Sequence, residues 1–145
     1  MDYRAVFEIS AAGMDFEKKR LDTAAMNLAN LHTTTAAGAA PYKPMRAVAA
    51  PVQVDFAQWV QAAGTTAAST ASRPVSLVAL EAAPRLVHEP GHPHADANGM
   101  VAYPGVDQAK EMLVAMTALR AYEANVAASS LARAMATRAL DIGGQ

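Results

Sequence analysis

The sequence predicts a mainly α fold, with long N- and C-terminal helices paired as an antiparallel, coiled-coil-like rod and a small irregular, β-strand-containing insert between them. Three observations carry this expectation. Residues 3 to 31 and 106 to 140 lack proline and carry helix-period apolar residues. All eight prolines fall between these stretches, among short strand-like pieces. The apolar arcs of both terminal segments are wider than one intramolecular seam requires.

The first segment, 1–31, reads as an N-terminal axial helix. Tyr3, Phe7, Met14, Leu21, Ala24, Leu28 and Leu31 recur at spacings compatible with one helix face. A second stripe of Val6, Ile9, Gly13 and Phe16 lies roughly 80° away at 100° per residue, and Arg4, Glu8, Asp15, Lys19 and Asp22 gather opposite. The helix should stop near Asn30, which suits a C-terminal cap, because the β-branched run Thr33-Thr34-Thr35 continues a helix poorly.

Residues 32–105 read as a loop and short-strand insert. Residues 32 to 44 are small and end in Pro41 and Pro44, which marks a loop. Val52, Val54 and Phe56 alternate with polar neighbours; Val75 to Leu80 and Leu86-Val87 are two further strand candidates, all too short to stand alone. Ala62 to Ser72 is low in complexity and reads as a loop. Pro90, Gly91, Pro93, Gly99, Pro104 and Gly105 then punctuate an extended segment.

The last segment, 106–145, reads as a C-terminal axial helix stopped by Gly143-Gly144. Met112, Met116, Leu119, Tyr122 and Val126 fall on one side, and Leu113, Leu131 and Met135 on another. A helix apolar on several sides is normally buried, and a 145-residue chain has little with which to bury it. The surplus stripes therefore call for other subunits, which makes a polymer the expected state.

Composition narrows the function. The chain is 52% apolar, but about a quarter of all residues are alanine, so the large-residue core is thin. Lys and Arg number 12 against 13 Asp and Glu, which leaves no basic excess to draw nucleic acid or a membrane surface. No apolar run approaches the roughly 20 residues of a membrane helix. The absence of cysteine removes disulfides and thiolate chemistry. Met1 to Glu8 is charged and has no apolar core, so a Sec signal peptide is not expected.

His88-Glu89-Pro90-Gly91-His92 matches the H-E-x-x-H zinc-protease pattern literally, with His94 and Asp96 nearby, and a metal-dependent hydrolase is the alternative it raises. That chemistry needs helical i, i+4 spacing, which Pro90 and Gly91 oppose. The segment reads as an ordered polar turn. With no paired carboxylates, phosphate loop or nucleophile motif, neither enzyme activity nor a cofactor or metal is expected. Lys18-Lys19-Arg20 reads as a solvated helix face, and the Met-rich stripe as core or subunit interface.

Both ends carry a resemblance. Leu21 to Asn30, followed by Thr33 to Thr35, is similar to the Asn-x-Ala-Asn signature that closes the first helix of bacterial flagellar axial proteins of the rod, hook and hook-junction class. Arg120-Ala121-Tyr122-Glu123-Ala124-Asn125 resembles the Arg-x-Tyr-x-x-Asn signature on their last helix. The stretch Val87 to Asp107, running into Glu111-Met112, is similar to that of basal-body proteins of the proximal rod. The likeness is close over residues 3 to 43 and 85 to 142; Met100 and Gly105 stand where the family more often has an aromatic residue and an Asn.

The resemblance implies a structural subunit of the flagellar rod that spans the periplasm and is exported without a Sec signal. Its terminal helices would form the inner tube of a hollow shaft that transmits torque and passes exported subunits. It implies as partners further copies of the chain, the rod proteins FlgB, FlgF and FlgG, FliE at the rod base, and the flagellar type III export apparatus. Another axial subunit or a paralogue is the alternative within the class. The expected subunit interface comprises Phe7, Met14, Phe16, Leu21, Asn27, Leu28 and Asn30 on the first helix. On the last it comprises Met112, Met116, Leu119, Tyr122, Asn125, Val126, Leu131 and Met135.

Overall fold

The computed structural model describes residues 3–36, 38–49 and 74–143. Helix α1 spans Tyr3–Ala29, strands β1 to β4 span Met45–Ala49, Val75–Ala79, Arg85–His88 and Met100–Tyr103, and helix α2 spans Gln108–Gly143. The two helices pack against each other, and the strands form two antiparallel hairpins, β1 with β2 and β3 with β4. The fold is the mainly helical one the sequence predicts, with a small two-hairpin insert. At 1.5 Å per residue the helices are about 40 and 54 Å long.

The helices run antiparallel: Gly13 faces Asn125, Leu21 lies by Ala118 and Tyr122, and Ala24 lies by Glu111 and Val114. This offset carries the end of α2 past the first turn of α1. What fills the seam differs from the expected large-residue stripe. The buried positions Ser10, Glu17 and Ala24 on α1, and Leu31 just beyond its end, follow each other at seven-residue intervals, joined by Asn27 and Thr23. On α2 the buried positions are Ala118 and Ala132, with half-buried Glu111 and Asn125 completing the same seven-residue series. Of the expected α1 stripe only Ala24 and Leu31 are buried.

Small side chains account for this choice, because they let two backbones approach. A Cβ added at Gly13 would sit 2.7 Å from Asn125 Oδ1, well inside van der Waals contact. The approach strands the large residues on the flanks of the seam, where they cover it only in part. Arg4, Glu8, Asp15, Lys19 and Asp22 face solvent as expected. Buried Glu17 is matched locally, its carboxylate accepting from the Arg20 guanidinium at 2.7 Å.

Helix ends are set by side chains. Asp107 caps α2, its Oδ1 accepting from the backbone N–H groups of Ala109 and Lys110 at 3.0 and 3.2 Å. Asn30 closes α1, although not through a left-handed conformation, since no non-glycine residue among those described has positive φ. Its amide Nδ2 donates to the Met26 carbonyl at 2.8 Å instead, and the chain leaves through a Leu31-to-Leu28 turn.

Two of the expected strands are present, as β2 and β3; the candidate at Val52 to Phe56 and the loop at Ala62 to Ser72 lie outside the described residues. Strand β1 falls in residues for which the sequence reading names no element, and β4 falls in the segment it reads as extended and punctuated by proline and glycine. β1 buries Ala47 and half-buries Met45 and Ala49, an alternation too small in side-chain size to register as a strand. β4 carries Val101, which is fully buried and forms the centre of the insert with Pro104. Gly105 then passes so close to the β2–β3 connection that a Cβ there would run into the Ala83 carbonyl oxygen.

Candidate assembly interface

The expected interface residues divide by burial. On α2, Met112, Met116, Leu119, Tyr122, Val126, Leu131 and Met135 are exposed, Leu119 to 48% and Leu131 to 61%. On α1, Phe7, Met14, Phe16, Leu21 and Leu28 are half-buried along the flanks of the seam. Further large apolar residues join them: Val6, Ile9 and Met26 on α1, and Leu113, Leu140 and Ile142 on α2. Leu140 and Ile142 lie on the part of α2 that runs beyond α1, out of its reach. The offset of the two helices, which sequence periodicity does not report, decides this.

Leu21, Leu119 and Tyr122 come together with Glu17, Lys18 and Ala118 around an open, largely apolar groove of about 280 Å³ between the helices. Removing a leucine-sized side chain from water is worth about 1.5–3 kcal/mol. The exposed faces of α1 and α2 can therefore supply more burial to a neighbouring subunit than the alanine seam supplies to the chain itself. No helix among the described residues is long and apolar enough to cross a membrane.

The three asparagines of the expected interface also make hydrogen bonds within the chain. Asn27 is 1% exposed. Its Nδ2 donates to the Met45 carbonyl, while its Oδ1 accepts from the Met45 N–H and from the Tyr42 hydroxyl, each at 2.9 Å. Asn125 donates to the Ala121 carbonyl at 2.9 Å and packs on Gly13. Asn30 caps α1 as described. The signature residues thus hold the subunit together, and Gly13 and Tyr42 are the partners that sequence reasoning missed. A single glycine inside a long helix was the available signal for Gly13; nothing local marks Tyr42.

Tyr42 sits where α1, β1 and α2 meet. Burial first, and then the nearby negative charge of Glu111, hold its hydroxyl pKa above the ordinary value of 10.0. Beside it, Arg20, Thr23, Ala24, Met45, Arg46, Ala47, Glu111 and Val114 line a polar cleft of about 260 Å³.

The histidine-rich segment forms the β3–β4 connection. Glu89 accepts from the Tyr103 hydroxyl at 3.1 Å, His92 Nδ1 accepts from the His94 N–H at 3.0 Å, and His94 Nδ1 pairs with Thr34 Oγ1 at 2.9 Å. These contacts tie the turn to β4 and to the loop after α1. No group of three or more His, Asp or Glu among the described residues is placed to hold a metal ion. The turn is organised by Asp96, whose Oδ1 accepts from the Met100 and Asn98 N–H groups at 2.8 Å. Those two backbone donors hold its carboxyl below the ordinary value of 3.8. Gly99 completes the turn at φ +73°.

No protein-family model matches the chain. Curated proteins match it over almost its whole length. It is 36% identical over 138 residues to the flagellar basal-body rod protein FlgC of Salmonella typhimurium, covering 95% of this chain and 96% of that one. The FlgC proteins of Escherichia coli O157:H7 and Bacillus subtilis are 33% and 30% identical, over 95% and 93% of this chain and 96% and 94% of their own lengths. Near-complete coverage in both directions extends the likeness from the terminal signatures to the insert between them. This chain belongs to the flagellar basal-body rod protein FlgC family, structural proteins of the bacterial flagellum.

Proposed function

We propose that this chain is a structural subunit of the proximal rod of the flagellar basal body, polymerising through α1 and α2 into a hollow shaft. The carrying observation is the pair of long helices joined by an alanine seam, with the large apolar residues of α2 left facing outward. Such a subunit keeps little apolar surface for itself and offers much to neighbours. Repeated helix–helix contacts give a tube that is stiff in torsion and open at its centre, suited to transmitting torque and passing exported subunits.

On this reading the neighbours are further copies of the chain, FlgB, FlgF and FlgG, with FliE at the base. The subunit reaches the periplasm through the flagellar type III export apparatus. Segments 1–31, 32–105 and 106–145 act as axial helix, insert and axial helix. Phe7, Met14, Phe16, Leu21 and Leu28 on α1 and the apolar residues of α2 from Met112 to Met135 make the contacts between subunits. The chain is not an enzyme on this reading.

Deletion of its gene is expected to abolish swimming and to leave basal bodies without a hook, with both restored by the intact gene. Leu119→Asp is expected to leave the isolated subunit folded but excluded from purified basal bodies. A motile deletion strain, or normal incorporation of Leu119→Asp, would overturn the proposal.

A further inference from the structure

We infer that Asn27 sets how the strand insert sits on the axial helices, by acting as a substitute neighbouring strand for the first residue of β1. The register of the β1–β2 hairpin leads to this. Leu80 N–H donates to the Pro44 carbonyl at 2.7 Å, which makes that pair hydrogen-bonded in the antiparallel ladder. The next pair, Met45 with Ala79, is then the non-hydrogen-bonded kind, so the N–H and C=O of Met45 point away from β2 toward the open edge of the sheet. A two-stranded sheet has nothing of its own to satisfy them there.

Asn27 meets both groups. Its amide donates to the Met45 carbonyl and accepts from the Met45 N–H, each at 2.9 Å, the same two-way exchange that an adjacent strand residue would make. A primary amide reproduces a peptide's donor and acceptor on one short planar group. Asp lacks the donor and sets a charge against the Met45 carbonyl, Gln is one methylene too long, and Ala leaves both backbone groups unpaired. The Tyr42 hydroxyl, donating to Asn27 Oδ1, closes the side from which the chain enters β1.

Among the described residues, every hydrogen bond between α1 and the insert runs through this one side chain. Because Asn27 is almost wholly buried, water cannot replace a lost partner. Asn27 is therefore a positioning residue: it fixes the direction in which the insert leaves the helices, whatever the subunit assembles with.

Residue-resolved hydrogen exchange on the full chain tests this, comparing wild type with Asn27→Ala and Asn27→Asp. In wild type the Met45 amide is expected to be protected. In Asn27→Ala the Met45 and Val78 amides should exchange about ten- to a hundredfold faster, while Val101 in the other hairpin keeps its protection and helix content is unchanged. Asn27→Asp, which retains the acceptor but not the donor, should fall between the two. An unprotected Met45 amide in wild type, unchanged protection of Met45 in Asn27→Ala, or equal loss of protection at Met45 and Val101 in both variants would overturn the inference.

Discussion

Along the helix seam the buried positions are occupied by Ser10, Glu17, Ala24, Ala118 and Ala132, whereas the β3–β4 side of the insert closes on Val101 and Pro104. The seam therefore brings two backbones close while burying little large apolar surface, and the largest apolar residues of both helices stay on its flanks. The β3–β4 turn does the reverse, burying Val101 and Pro104 and closing on backbone bonds to Asp96, although the strands still leave Val48, Leu77, Val78 and Leu86 exposed. A subunit built this way has a β3–β4 turn that is closed within the chain, and helices and outer strand faces with apolar surface left for something else to cover.

Substitutions that exchange these roles should show the difference most strongly. Val101→Ala opens a cavity in the insert and is expected to cost the isolated subunit about 2 kcal/mol, measured by denaturant unfolding. Leu119→Asp, on the exposed flank, should cost it less than about 1 kcal/mol while removing it from the rod. If Leu119→Asp destabilised the isolated subunit as much as Val101→Ala, the seam would own more of the flank than its burial indicates.

Gly99→Ala comes next. At φ +73° an alanine is strained, and its Cβ would lie 3.1 Å from both His88 Cε1 and Pro90 Cβ. A loss of about 1–2 kcal/mol, with exchange rising first at the β3–β4 amides, is the expected outcome. Asp107→Ala removes the cap of α2 and should cost about 1 kcal/mol, seen as fraying of the first turn in residue-resolved exchange. Fraying that spread along α2 toward Ala118 would mean that the cap, not the seam, holds the two helices together.

The smallest effect is a pH dependence. The folded carboxyl of Asp96 titrates below its unfolded value of 3.8, so the ionised form stabilises the turn. That contribution is complete above 3.8 and is lost as pH falls through the lower folded-state value. The Met100 amide should lose protection, relative to its intrinsic exchange rate, only in that acid window, and Asp96→Asn should remove the pH dependence of its opening.

How much of this was legible in the sequence varied with the range of the interactions. Proline-free helical stretches and the Asn30 stop are local, and residues within a few positions of each other specify them. β1 was not legible, because its inward residues Met45, Ala47 and Ala49 are weak strand signals and its partner, β2, lies some thirty residues away. The internal role of Asn27 was not legible for the same reason. A signature asparagine on an apolar helix suggests a contact between subunits, and only the placement of Met45 beside it shows an internal one.

The sequence by itself determined two long helices with more apolar surface than the chain can cover, and likeness to the flagellar axial class, because periodicity and terminal signatures are properties of contiguous residues. Tertiary structure decided which face of each helix closes the subunit. Periodicity ranks faces by apolar size, but close backbone approach favours small side chains, and so the seam formed largely on Gly13, Ser10 and alanines, with Glu17 paired to Arg20, while most leucines and methionines were left on its flanks.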